Sequence, residues 1–315
     1  REHAEAVGYA ERAAELARHL RDGPTLFEAL RERGLLEVLG GEFVAADEAL
    51  NEARQLAERL GNRRGYAQVS MDLGWVAMQR GQLDLAEERF LRCIALFDAI
   101  DDGPAAAGVW MGLSDLARKA GKWQQALDRA DRGLACWQAQ GARSGVARAI
   151  NIRSDILRLT GDLGQAEAGF RDAVARFEQL GIGKTAIARV NLALVLIARE
   201  QYGEAEEILR DFQVAIHPSR ISIHAIVHAS LTPCAAAAKD WEAMDSHLQQ
   251  ALSLAGSVGF VDTDLADGFQ RSAELCRRAG QWTRARFGYE QALEQWVSMR
   301  RRDKIDEVRV ALTKL

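Results

Sequence analysis

Apolar residues recur along this chain at spacings of three and four, as in Leu50, Ala53, Leu56 and Leu60, and again in Phe90, Cys93, Leu96 and Ile100. That period puts them on one face of an α-helix. Helical stretches meet at a glycine-x-bulky turn: Gly41/Phe43, Gly81/Leu83, Gly121/Trp123, Gly161/Leu163 and Gly280/Trp282. At Glu200/Tyr202 and Lys239/Trp241 the glycine is replaced and the bulky partner stays. Three residues after each bulky residue stands Ala46, Ala86, Ala126, Ala166, Ala205, Met244 or Ala285, and Ala6 continues the series backwards at spacings of 40, 40, 40, 40, 39, 39 and 41. Seven residues before each turn stands another small residue: Gly34, Gly74, Ser114, Ser154, Ala193, Thr232 or Ala273. Glycine takes the left-handed conformation that ends a helix. Small side chains at the two other sites let the helices of a hairpin approach, and the bulky residue fills the wedge. One hairpin cannot bury its apolar faces alone, so neighbours must stack.

The pattern resembles the tetratricopeptide repeat family, in a forty-residue version with longer helices than the usual thirty-four. The resemblance covers essentially the whole chain and implies an all-α, right-handed superhelical solenoid. Its expected divisions are a partial repeat at 1–22, full repeats at 23–62, 63–102, 103–142, 143–182, 183–219, 220–260 and 261–300, and a capping helix at 301–315. The sixth full repeat departs most, with Lys239 for glycine, Met244 for alanine and Pro233 inside its first helix. Proline there removes a hydrogen bond and clashes with the preceding turn, reading either as a hinge or as a tolerated kink. Ile305, Val308, Leu312 and Leu315 share one face of the capping helix. The N-terminal end shows no cap, Arg1 falls inside a helix and no Met opens the chain, so it reads as a piece of a longer protein.

Composition supports this picture. With 48% hydrophobic and 27% charged residues and a net charge of −4, the chain is neither disordered nor collagen-like. Only four prolines fit long helices. The four cysteines form no CxxC motif and read as reduced, buried fillers, which leads to an expected cytoplasmic location. Ile221 to Ala238 is uncharged and long enough for a membrane span, but it carries His224, His228 and Pro233 in register with the repeats. It reads as a buried helix.

Catalytic chemistry is hard to find. GIGKT at Gly181 to Thr185 echoes a phosphate-binding loop, yet Glu178 stands where that motif needs its first glycine, and a helix leads in where a strand is required. His224 and His228 could share a helix face and hold a metal, but Ala225 stands where a zincin motif has glutamate, and no third ligand is suggested although His217 lies nearby. They read instead as core or groove histidines, or as a pH-sensitive contact. No GxSxG is present, so no enzymatic role and no cofactor are expected. Residues 270–315 hold eleven basic residues against six acids, a surplus of +5 that could meet nucleic acid or simply be a solvated, arginine-rich end.

In the family resembled, the first helix of each hairpin lines the concave surface. Carried onto this sequence, that implies a partner-binding groove of Gln68, Met71, Trp75 and Met78, then Met111, Asp115 and Arg118, then Arg148, Asn151, Asp155 and Arg158. Leu194, flanked by Val190 and Ile197, continues it, followed by Gln270, Glu274 and Arg277. Met beside Trp suits apolar anchors, and Arg148 with Asn151 offers donors to a backbone or carboxylate. Met and aromatic residues at this spacing also serve as core. Carboxylate-clamp members place Asn just after the small helix residue, where this chain has Leu35, Trp75, Asp115, Asp155, Leu194, Pro233 and Glu274, so a clamp of that type is not expected. The long-repeat style is similar to sensor arrays of bacterial signal-transduction ATPases of the maltose-regulator type and of repeat-bearing Ser/Thr kinases. It implies a protein or peptide partner, with the chain's own N-terminal effector domain as one candidate. A small-molecule inducer and nucleic-acid contact are the alternatives.

Overall fold

The computed structural model describes residues 2–181, 185–215 and 220–315. Among them are sixteen α-helices and no strand. In chain order these are α1 (Glu2–Leu20), α2 (Gly23–Gly40), α3 (Phe43–Arg59), α4 (Arg63–Gln79), α5 (Leu83–Asp98), α6 (Gly103–Lys119), α7 (Trp123–Ala139) and α8 (Arg143–Thr160). They continue as α9 (Leu163–Gln179), α10 (Thr185–Ala198), α11 (Tyr202–Ala215), α12 (Ile221–Ala237), α13 (Trp241–Val258), α14 (Thr263–Arg278), α15 (Trp282–Ser298) and α16 (Arg302–Leu312). The chain divides into two compact units, Arg1–Ile156 and Leu157–Leu315, with the boundary inside α8. Within each unit helices pack on their sequence neighbours as stacked hairpins, the α-solenoid arrangement.

The hairpin turns work as the glycine spacing predicts. Gly41, Gly81, Gly121, Gly161 and Gly280 all have positive φ, between 70° and 90°. Glu200 and Lys239 take the same conformation, at φ 62° and 59°, without glycine's freedom from a Cβ clash. Lys239→Gly is therefore expected to raise stability by about 0.5–1 kcal/mol, read as a shift in the thermal or urea midpoint.

Close approach within a hairpin is real. A Cβ on Gly34 would lie 2.6 Å from Leu50 Cγ, and one on Gly74 2.7 Å from Phe90 Cε1. Ser114, at the same register, donates its hydroxyl to Ala126 O at 2.7 Å, joining the two small sites of its hairpin. Phe90 and Phe97 in unit 1, and Phe170 and Phe269 in unit 2, are fully buried in the layers so formed. Burying each such side chain stabilises by roughly 1.5–3 kcal/mol.

A second device repeats at forty residues. Arg89 donates to Leu73 O at 2.7 Å, and Arg129 donates to Leu113 O at 3.0 Å, each tying a second helix to its own first helix. The same guanidiniums reach back to the preceding second helix, Arg89 to Asp47 at 3.7 Å and Arg129 to Glu87. First helices also connect: Arg31 of α2 holds Asp72 of α4 at 2.7 Å, with Asp72 almost fully buried. Burial pushes the Asp72 carboxyl above its usual range even though Arg31 pulls it down.

In unit 2, Pro233 lies inside an unbroken α12. Proline has no N–H for the carbonyl of Ala229. Thr232 Oγ1 donates to that carbonyl at 2.7 Å. Gly268 of α14 packs against it so closely that a Cβ there would lie 2.5 Å from Ala229 O. At the end of unit 2, Val308 of α16 is buried, with Ile305, Leu312 and Leu315 half-buried around it against the same core. Among the described residues no helix is long and apolar enough to cross a membrane, and α12 is mostly core.

Candidate interaction surface

The first helices α4, α6 and α8 carry most of the groove residues expected from the sequence. On α4, Gln68, Met71 and Trp75 are half-buried, leaving surface for contact. Trp75 is held edge-on against Phe90, ring centroids 5.4 Å apart, and its far edge meets the bare α-carbon of Gly112. Met78 and Met111 correct the expectation: both are only 3% exposed and belong to the core, where their thioethers fill gaps between helices. Val190 and Ile197 on α10 are likewise core, while Leu194 between them is half-buried.

The charged residues expected in the groove are mostly engaged. On α6, Asp115 accepts from Arg118 at 2.6 Å and lies 3.7 Å from Lys119. Arg158 at the end of α8 holds Asp264 of α14 at 2.9 Å, both mostly buried, so this guanidinium is tied within unit 2. Asn151 and Asp155 are half-buried and partnered. On α14, Gln270 accepts from the Trp296 indole at 3.0 Å, and Glu274 accepts from Arg277 and from Tyr289, each at 2.7 Å. Arg277, with Tyr289 and Arg278 beside it, holds the Glu274 carboxyl down at about 2.

Arg148 is different. Its guanidinium lies over the Trp137 ring, 4.9 Å from the centroid. That indole donates to Pro104 O at 3.2 Å, so Trp137 joins the starts of α6 and α8. Burial alone pulls the guanidinium's pKa down, and among the described residues no carboxylate lies within ion-pairing distance of it. Forty residues earlier stands Gly108, where a Cβ would meet nothing within 4 Å. The sequence signalled Arg148 but neither the indole beneath it nor the gap at Gly108. The repeat register holds the second signal, since Gln68, Gly108 and Arg148 occupy equivalent positions.

The histidines form a cluster on α12 and α13. His228 is buried with its Nδ1 3.0 Å from Nδ1 of His247 and its Nε2 3.1 Å from the Gln213 side-chain nitrogen. Among the described residues no group of three or more His, Cys, Asp or Glu is placed to hold a metal. His217 and residues 182–184 of the GIGKT stretch lie outside the described residues. Burial, then His247 and His224, pushes His228 down from 6.5 to about 4. The folded state thus favours the neutral ring. Its stabilising contribution is complete above pH 6.5 and is lost as pH falls toward 4. We expect about 1–2 kcal/mol of acid sensitivity from this group, seen as a smaller drop in urea midpoint between pH 7 and pH 4.5 in His228→Gln than in the wild type.

The basic surplus of residues 270–315 is largely internal to unit 2. Arg271 pairs with Asp267 at 2.7 Å, Arg284 with Asp245 at 2.9 Å, Arg301 with Asp303 at 3.0 Å and Lys304 with Glu307 at 2.9 Å.

No family model matches the chain, and no curated protein matches it in sequence. Solved structures do match in shape. A signal-transduction ATPase with numerous domains and a tetratricopeptide repeat sensor, from Pyrococcus horikoshii, aligns with TM-score 0.68 at 17% identity over 95% of this chain and 46% of its own. The apo form of RapI aligns with TM-score 0.67 at 13% identity, over 89% of this chain and 99% of its own. A Rap protein complexed with Competence and Sporulation Factor aligns with TM-score 0.63 at 15% identity, over 91% and 77%. Helical hairpins repeating near forty residues, with left-handed turns, small contact sites and these structural neighbours, give this chain the tetratricopeptide-repeat fold.

Proposed function

We propose that the chain is a protein- or peptide-binding module of a larger regulatory protein, with its contact surface on the first helices of the hairpins. The observation that carries this reading is the half-exposed Met71–Trp75 ledge on α4, braced from behind by Phe90 and flanked by polar groups of α6 and α8. A rigid aromatic beside an adaptable thioether binds apolar side chains at low entropic cost. Gln68, Asp115, Arg118, Arg148, Asn151 and Asp155 supply the polar rim in unit 1, and Leu194 offers an apolar contact in unit 2. Asp115 is tied to Arg118 and Arg158 to Asp264, and a partner using them would have to release these pairs. Two of the matching structures lend support, one a signal-transduction ATPase with a tetratricopeptide repeat sensor and one a Rap protein in complex with Competence and Sporulation Factor.

Trp75→Leu keeps apolar cover over Phe90 while removing the indole edge. Combined with Met71→Glu, it is expected to weaken partner binding about tenfold with the melting temperature little changed. Titration calorimetry against proteins or peptides recovered on the immobilised wild-type chain checks this. Equal affinity in both chains would refute the ledge as the contact surface. A second reading, as a small-molecule sensor, has one feature in its favour: a cavity of about 440 Å³ lined in part by Tyr66, Leu96 and Ile100. Ligand-dependent thermal stabilisation lost in Ile100→Trp would favour it.

A further inference from the structure

Two positions of the repeat change together in unit 1, and the cavity of about 440 Å³ lies where they do. Ala57, near the end of α3, stands where the next three second helices carry Phe97, Trp137 and Phe177, all buried. An aromatic ring at this position packs against the start of the following hairpin: a Cβ on Gly145 would lie 2.5 Å from the Trp137 ring. Phe27 covers the equivalent Gly65, at 2.7 Å, but it comes from α2 and lines no part of the cavity beside Ala57. The second change is Arg63, which stands where Gly23 and Gly103 open their first helices. Those glycines let the residue after the second helix lie across the helix start, Leu60 within 2.9 Å of a Cβ on Gly23 and Gln140 closer still to one on Gly103. Ile100, at the equivalent position, has Arg63 in place of that glycine, and the two line the cavity together.

The walls are apolar apart from one phenol: Ala57, Leu96 and Ile100 with the half-buried Tyr66, while the exposed Glu58 and Arg63 stand at the rim. The volume falls within the range of about 300–1,000 Å³ that small-molecule sites occupy. Water in so apolar a space finds few hydrogen-bond partners, and an apolar occupant gains by displacing it. Resting on the small-molecule reading above, we infer that this cavity takes a small planar aromatic compound, its ring beside Ala57 and against Tyr66. The chain's own repeats supply the shape, since three of them place a flat ring at the position Ala57 holds. Tyr66 adds selectivity, because aromatic rings favour offset or edge-on contact with one another. One acid and one base at the rim match no single ligand charge, so the ring is the element recognised.

The test titrates the full chain with indole, benzyl alcohol and cyclohexylmethanol, followed by ligand-observed NMR at millimolar concentration. Cyclohexylmethanol is the saturated counterpart of benzyl alcohol and the more apolar of the two, so a merely greasy cavity would prefer it. The wild-type chain is expected to bind benzyl alcohol at least about threefold more tightly than cyclohexylmethanol, and indole more tightly still. Ala57→Phe restores the aromatic of the other repeats and should abolish binding of both rings while raising the melting temperature. Ile100→Trp, at a half-buried position, is the second variant should Ala57→Phe overpack the core, and it should abolish binding with the helical circular dichroism unchanged. Equal or tighter binding of cyclohexylmethanol, lost in Ile100→Trp, would overturn the aromatic inference and leave the small-molecule reading standing. Aromatic binding that survives in folded Ile100→Trp would overturn the site. Failure of all three compounds to bind the wild-type chain would overturn both.

Discussion

Gly268→Ala is expected to destabilise unit 2 by about 3 kcal/mol, read as a lower urea midpoint with an unchanged slope. The added Cβ would sit 2.5 Å from Ala229 O and 2.9 Å from its carbonyl carbon. Both are backbone atoms of α12, so no side chain can swing aside. The same oxygen is the one Pro233 leaves without an N–H, and Thr232 supplies its hydrogen bond. Pushing α14 away would also lengthen the contact from Thr232 Oγ1 to Gly268 O, now 3.3 Å. Gly256→Ala on the exposed face of α13 is the matched control, because a Cβ there meets nothing within 4 Å. It should stabilise by about 0.5–1 kcal/mol through helix propensity. If the two substitutions behaved alike, the tight α12–α14 packing would be wrong.

Arg31→Ala should cost unit 1 about 3–4 kcal/mol at pH 7, because it strands the nearly buried Asp72 carboxylate between α2 and α4. The sign of its pH dependence follows from Asp72, whose folded pKa already lies above its unfolded value. With Arg31 gone it rises further, so the folded variant binds a proton that the unfolded chain does not. The deficit should therefore shrink as pH falls from 7 toward the ordinary carboxylate range. Asp72→Asn in the Arg31→Ala background should recover much of the loss at pH 7. Urea titrations of the three variants at pH 7 and 5 decide the matter, and a deficit that grew on acidification would contradict the assignment.

Much of the architecture was legible because the fold repeats its own constraints. Each glycine-x-bulky turn marks a left-handed residue, and the small sites Gly34 and Gly74 mark contacts that a Cβ would close. Helix joints at Arg21, Asp101 and Arg300 take positive φ without a glycine at that position. The interaction surface was legible only in part. Periodicity places a residue on a helix face but does not say how deep the neighbouring helix reaches, which is why Met78 and Met111 came out as core. Partners distant in sequence carry no local signal either: Asp72 for Arg31, Asp264 for Arg158 and His247 for His228 became visible only once the helices were packed.

The cysteines carry a practical corollary. Cys93, Cys234 and Cys276 are buried, and that burial pushes their thiols up to about 12, 12 and 11. Cys136 is partly open and adjoins Trp137, the indole that carries Arg148. Alkylating reagents at neutral pH should thus mark one position selectively, giving a labelled site on α7 without any engineered mutation.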